Sequence, residues 1–235
     1  MDPSGLLPFG RALRAFHQGD VEAVLDLRWD PGEAASVPVA TFFAPPGRGT
    51  YVEVAALQRA KGRVIDVGAG SGRFGLAIQA RGQPVLGLDT LADAVAVMRA
   101  RGLDARRGRV EDCAGAGADT VLVMMNGTTL AGSLAGLAPF LHSLKTGMTA
   151  HGRILIDSTD PDHPAVEWEA PGDGRAAGEL HLQMGFRGSW GAPLPQLFVG
   201  SQVLATEARR VGLVLEVVAE DPDGRYLAEL TQARG

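Results

Sequence analysis

Apolar positions change their period along this chain, and each change predicts an element. From Leu6 they recur at helical spacing (Leu6, Phe9, Leu13, Phe16), which predicts an amphipathic helix broken at Gly19-Asp20. Asp20 is placed to cap a second short helix through Leu27, and Asp30-Pro31-Gly32 is a turn signal. Val37 to Phe43 reads as extended, residues 44–49 as a loop, and Tyr51 to Ala60 as a helix stopped at Gly62. From Val64 short apolar runs alternate with helical stretches. The runs are Val64 to Val67, Pro84 to Leu88, Leu103 to Arg107, Asp119 to Met125 and Arg153 to Ile156. The helical stretches are Arg73 to Arg81, Leu91 to Arg101 and Leu130 to Thr146; Gly132, Gly136 and Pro139 make the last one start late or kink. Thr90-x-x-Asp93 resembles a capping box for the middle one. Strands alternating with helices predict a parallel sheet covered on both faces.

After Gly178 the period falls to two. Glu179 to Phe186 alternates as a half-buried antiparallel strand, and Gln196 to Val199 can pair back on it. A helix over Ser201 to Val211, with Ser201 as its cap, precedes two strands, Leu213 to Ala219 and Tyr226 to Leu230. Their connection, Asp221-Pro222-Asp223-Gly224, is short enough only for a hairpin. The expected organisation is an N-terminal helical and extended cap over residues 1–60, an α/β core over 61–235, and a lid-like antiparallel insert over 160–199.

Composition narrows the class. A chain of 235 residues with 46% hydrophobic and 21% charged residues fits one α/β domain with a sizeable core. Net charge −5 argues against a broad phosphate-neutralising surface, so nucleic acid is not the expected partner. Cys113 is the only cysteine, which excludes an internal disulfide and a cysteine-based metal cluster, and no metal site is expected. There is no signal-peptide pattern and no run near the ~18 apolar residues of a membrane span, so a cytoplasmic location is expected.

The chemistry centres on Val64-Ile65-Asp66-Val67-Gly68-Ala69-Gly70-Ser71-Gly72, a buried strand running into a glycine-rich turn and a helix. The glycines permit a tight turn and close approach of a ligand to backbone N–H groups. Gly70 to Gly75 also matches the dinucleotide pattern G-x-G-x-x-G, but that match begins two residues after the turn does. A carboxylate inside the strand, Asp66, is costly without a partner. It has little use beside a pyrophosphate and good use beside a cation.

Asp66-x-Gly68-x-Gly70-x-Gly72 resembles motif I of the class I S-adenosylmethionine-dependent methyltransferases. The closing hairpin is similar to the antiparallel end of that family's Rossmann-like, doubly wound, seven-stranded, mainly parallel sheet. Met124 to Thr128, Ile154 to Asp160 and the hairpin also resemble a group of small bacterial methyltransferases. The resemblance covers about Val64 to Leu230 and implies S-adenosylmethionine as cofactor. It implies that Gly68, Ala69, Gly70 and Gly72 lie under its methionine part, with Asp66 helping to hold the amino group. Asp89, ending the second strand, would accept both ribose hydroxyls, with Thr90 beside it. The family's acid after a glycine is replaced at Gly108 by Arg109, so the adenine contact shifts to Glu111, Asp112 or the backbone, with Asp112 preferred. Met125 and Asn126 end the fourth strand beside the sulfonium position, where Asn126 could place the acceptor or hold the cofactor's amino-acid portion.

His163 and His181 are the candidates for a general base; each has an ordinary surface or packing role as its alternative. The expected reaction is methyl transfer to an oxygen or nitrogen of a small molecule. The competing readings are S-adenosylmethionine binding without turnover or with other chemistry such as cyclisation, and an NAD-dependent oxidoreductase.

Overall fold

The computed structural model describes residues 3–48, 50–168 and 171–233. In chain order, helix α1 (Leu7–His17) is followed by strands β1 (Val24–Asp30) and β2 (Ala34–Pro38) and helix α2 (Tyr51–Arg59). The alternating region gives β3 (Val64–Val67), α3 (Arg73–Gln79), β4 (Val85–Asp89), α4 (Ala92–Ala100), β5 (Ala105–Arg107), β6 (Ala118–Val123), α5 (Leu134–Gly147) and β7 (Met148–Thr159). Then come β8 (Glu179–Phe186), β9 (Ser189–Trp190), β10 (Leu194–Leu197), α6 (Ser201–Arg210), β11 (Leu213–Glu220) and β12 (Arg225–Gln232).

A seven-stranded sheet runs β11-β12-β7-β6-β3-β4-β5. Its pairs are parallel except at β12, which is antiparallel to both β7 and β11. This is the expected mainly parallel, doubly wound sheet with an antiparallel end. Successive side chains leave opposite faces, so β3 feeds two cores. Ile65 and Val67 pack with α5 and α6, while Val64 packs with α2, α3 and α4. Helix α4 is buried on two sides, because Val95 and Met98 meet the sheet while Leu91, Ala94 and Val97 meet α1. Among the described residues no helix is long and apolar enough to cross a membrane.

The N-terminal region differs from expectation. No second helix forms through Leu27; β1 occupies that stretch. Leu25, Leu27 and Trp29 alternate with Asp26, Arg28 and Asp30, and this period of two outweighs the capping signal at Asp20. β1 pairs with β2 and with β8, so the N-terminal segment and the insert after β7 build one antiparallel sheet, β10-β8-β1-β2, with β9 on β8. The extended run expected to reach Phe43 stops at Pro38, and a 3₁₀ turn over Val39–Phe42 follows.

Helix α5 starts late, as expected, with Ser133 accepting the Gly136 N–H at 3.1 Å. Two expected caps are replaced. Asp89, not Thr90, accepts the Leu91 N–H at 2.9 Å, while Asp93 pairs with Arg14 of α1. Gly200 holds the cap position of α6, with Ser201 as its first helical residue.

One ion pair braces the antiparallel end of the large sheet. Arg225 on β12 places Nε and Nη2 at 2.8 and 2.6 Å from Asp157 Oδ2, and Asp157 is fully buried. Removing one partner of a buried pair leaves the other charge without compensation. Arg225→Met is therefore expected to cost about 3 kcal/mol in urea denaturation. Adding Asp157→Asn should recover much of that loss. Two independent, additive effects would contradict a coupled pair.

Candidate active site

All four residues of β3 are buried, Asp66 among them. Its Oδ2 accepts the Gly75 N–H from α3 at 3.0 Å. Asp89 ends the neighbouring parallel strand, with Oδ2 on the Gly70 N–H and Oδ1 on the Leu91 N–H, both at 2.9 Å. Burial pushes Asp66 up from 3.8 to about 7, against the lowering effect of the Gly75 N–H, and negative Asp89 adds to the rise. Burial also raises Asp89, opposed by the N–H groups of Leu91, Gly70 and Thr90. These are uncomfortable anions that a nearby cation or a pair of hydroxyl donors would relieve.

The glycine turn that supplies these N–H groups has φ of 68° at Gly68, 55° at Gly70 and 79° at Gly72, all left-handed. Two of the three glycines also answer to crowding. A Cβ on Gly68 would stand 2.9 Å from Leu130 Cδ1, and one on Gly72 would stand 3.0 Å from Met98 and Leu103. Gly72 is thus fixed by packing against α4 and the chain leading to β5, and it lines neither cavity described below. Gly75 likewise lies inside α3 against Leu103, so the dinucleotide reading of Gly70 to Gly75 finds no second ligand-facing turn there.

Two cavities flank the turn. One, of about 330 Å³, is walled by Asp89, Thr90, Val110, Glu111 and Arg107 and roofed by Leu6 and Phe9. The other, of about 180 Å³, takes in Asp66, Ala69, Gly70, Met125 and Asn126 under Phe9 and Phe42. Gly68, Phe9 and Leu130 border both, so the two cavities adjoin at that point. The rings of Phe9 and Phe42 meet edge to face, 4.9 Å between centroids. The roof is tied down: Ser71 Oγ bonds the Phe42 carbonyl, and Arg73 donates to Ala44 O at 2.8 Å and to both oxygens of Glu53 at 2.8 and 3.1 Å.

Asp112, preferred for the adenine contact, does not line the larger cavity. Its Oδ2 turns back onto the Arg109 N–H at 2.7 Å as a local cap, and Glu111 faces the cavity in its place. Met125 and Asn126 do not end a strand. β6 stops at Val123, and both residues sit in a left-handed turn, φ 69° and 59°. The two histidines are not brought to either cavity. His163 Nδ1 accepts the Ala165 N–H at 3.2 Å in the loop after β7. His181 projects from β8 opposite Asp30, its Nδ1 2.9 Å from Arg175, on the phase opposite to buried Leu180 and Leu182. Sequence reasoning named Glu111, which lines the larger cavity, but did not single out Phe42, which covers the smaller one, or Thr159, whose Oγ1 reaches Asn126 Oδ1 at 2.8 Å.

The two carboxylates, both hydrogen-bond acceptors, suit a ligand carrying vicinal hydroxyls at one end and an ammonium at the other. Asp89 retains lone pairs toward the larger cavity, and Asp66 toward the smaller. No protein-family model and no curated protein matches this sequence. Solved structures do. A SAM-dependent methyltransferase from Bacteroides fragilis, in complex with S-adenosyl-L-homocysteine, is 32% identical, covers 99% of this chain and 97% of its own, and has a TM-score of 0.87. Streptomyces venezuelae DesVI shares the fold at 18% identity, with 80% and 94% coverage and a TM-score of 0.61. The sugar N-methyltransferase KedS8 from Streptoalloteichus does so at 15%, with 86% and 96% coverage and a TM-score of 0.58.

The raised Asp66 gives a stability signature in the ligand-free protein. A carboxyl raised on folding contributes fully below its unfolded value of 3.8, and that contribution is lost as pH climbs through about 7. Asp66→Asn is expected to be the more stable protein at pH 8, by up to about 4 kcal/mol, with the difference shrinking toward pH 4. Urea titrations across that range check it; parallel pH profiles for the two proteins would contradict it.

Proposed function

We propose, for a chain that belongs to the class I S-adenosylmethionine-dependent methyltransferases, that the methyl acceptor is a small molecule offering an oxygen or nitrogen nucleophile. Membership rests on 32% identity spanning 99% of the chain. The observation that carries the acceptor class is the roof. Phe9 and Phe42 close over the glycine turn, and the second sheet that β1 and β2 share with β8–β10 packs α1 into place. Such a covered site favours a molecule that can be enclosed over a large polymer, in keeping with net charge −5.

In this reading Asp89 accepts the ribose hydroxyls, Glu111 accepts from the adenine amino group, and Asp66 draws the ammonium of the methionine portion. The Met125-Asn126 turn faces the reacting end. S-adenosylmethionine supplies a methyl carbon already activated on a sulfonium. What the chain adds is alignment and exclusion of water, which at best contribute about 7–11 kcal/mol. A base is needed only for an acceptor that arrives protonated. His163 and His181 lie off the cavities, so no proton transfer is assigned to them.

The test is release of S-adenosylhomocysteine from S-adenosylmethionine over a panel of hydroxyl, phenol, carboxylate and amine compounds, run beside protein and nucleic-acid acceptors. Turnover is expected with members of the small-molecule panel. Asp89→Ala, folded by circular dichroism, should lose at least about tenfold in turnover. Turnover confined to the macromolecules would overturn the acceptor class. Cofactor binding should weaken in Glu111→Ala and hold in Asp112→Ala; the reverse would return the adenine contact to Asp112.

A further inference from the structure

We propose that the methyl acceptor reaches the cofactor's sulfur through the gap between Phe9 and Leu130, and that these two side chains select an acceptor whose nucleophile sits on a flat apolar ring, a phenol or an arylamine. The proposal rests on reading the two cavities as the two ends of the cofactor site.

Position comes first. A ligand with its adenosine beside Asp89 and its amino-acid end beside Asp66 has its sulfur between them, where the cavities adjoin. Gly68, Phe9 and Leu130 are the residues that border both. Gly68 belongs to the floor, its N–H bonded to the Leu88 carbonyl of β4 at 2.8 Å. A sulfonium carries three substituents in a pyramid. Two of them lead into the two cavities and the floor is closed, so the methyl faces the side that Phe9 and Leu130 line.

The chemistry of that side is uniform. Asp89, Arg107, Arg109 and Glu111 border the larger cavity alone, and Asp66, Arg73 and Asn126 the smaller alone. At the shared border both side chains are hydrocarbon; Leu6 adds apolar surface on the larger side and Met125 on the smaller. Two hydroxyls of the smaller cavity are spent, Ser71 Oγ on Phe42 O and Thr129 Oγ1 on Asn126 O. An acceptor with a charge or many hydroxyls beside its nucleophile gives up water there and gains no partner. Orientation for in-line attack must then come from shape. A flat ring held against Phe9 supplies it, since aromatic rings stack or meet edge to face. Aromatic side chains of the insert are committed elsewhere. Phe186 packs with α1, Trp190 lies under the Arg28 guanidinium at 3.7 Å, and Trp168 meets Phe198 edge on.

The two sides of the gap are held with different firmness. Phe9 packs into the core around α1 and meets Phe42 edge to face. Leu130 belongs to none of the described apolar cores and is 40% exposed, on a 3₁₀ turn that ends at left-handed Gly132. Its side chain rests on Gly68. Leu130 is therefore the side that yields when sulfur and methyl take that place, and it then packs on the acceptor's ring, with Phe9 as the fixed surface opposite.

The test is calorimetric titration of the protein saturated with S-adenosylhomocysteine, with 2-naphthol and glucosamine as probes. 2-Naphthol is expected to bind at least about tenfold more tightly than glucosamine. Leu130→Trp fills the gap and should weaken 2-naphthol at least about tenfold while changing S-adenosylhomocysteine by less than about threefold. Leu130→Ala widens it, and should hold S-adenosylhomocysteine within about twofold while shifting preference from 2-naphthol toward a three-ring phenol. Phe9→Leu keeps the side apolar without the ring and should weaken 2-naphthol about threefold to tenfold. Methyl transfer from S-adenosylmethionine should likewise rank phenols and arylamines above amino sugars and amino acids. No 2-naphthol binding, a preference for glucosamine or amino sugars, or Leu130 variants that leave 2-naphthol unchanged or lose both ligands in equal measure would overturn the gap. A wild-type protein that does not bind S-adenosylhomocysteine would instead overturn the reading of the cavities, and the proposal with it.

Discussion

Two carboxylates buried side by side at the ends of adjacent parallel strands are the constraint on which the rest of the site depends. Asp66 stands opposite Gly87 in the β3–β4 register, and Asp89 lies two residues beyond Gly87. Neither can be left without donors in so dry a place. The protein answers with backbone N–H groups from Gly70, Gly75 and Leu91, delivered by the left-handed glycine turn and the helix starts around it. The turn's conformation is therefore tied to the acids as closely as to any ligand. Both carboxylates keep lone pairs for the cavities, and their discomfort as neighbouring anions favours a ligand bearing hydroxyls and a cation.

The parts outside the α/β core are arranged around that constraint. The loop after β2 is pinned by Arg73 and Glu53, two residues whose side chains are nearly buried. Glu53 also takes the Gly47 N–H at 2.7 Å. Glu53 lies 4.0 Å from Arg225, which grips Asp157, which holds the turn after β6. A chain of alternating charges thus connects the roof on one side of the smaller cavity to the wall on the other. Pairs buried to this degree add little net stability over apolar residues of the same size. Their contribution here is to fix two irregular segments relative to the glycine turn.

The core was legible in the sequence because local pattern and global fold agree there. The β-branched run before Gly68, the acid at Asp89 and the Asp221-Pro222-Asp223-Gly224 hairpin each specify one element, and together they specify the sheet order's antiparallel end. The N-terminal region was less legible because one of its partners is remote. β1 pairs with nearby β2 on one edge but on the other with β8, some 150 residues later, and a capping residue at Asp20 carried the local reading the wrong way. Side-chain direction was the other gap. Asp112 and Glu111 are equivalent as residue types, and only the 3₁₀ turn that gives Asp112 the Arg109 N–H separates them. Thr159 gives no signal by itself. Its significance is the approach of β7 to the Met125-Asn126 turn, a contact between segments 33 positions apart.

A crystal structure of the protein with S-adenosylhomocysteine tests the central claim most directly, since that claim is that the two acids face the two ends of one ligand. The expected result is both ribose hydroxyls within hydrogen-bond distance of Asp89, the amino-acid end between Asp66 and Asn126, and the adenine against Val110 and Glu111. A ligand bound with its ribose away from Asp89, or with its amino-acid end outside the cavity under Phe42, would contradict it.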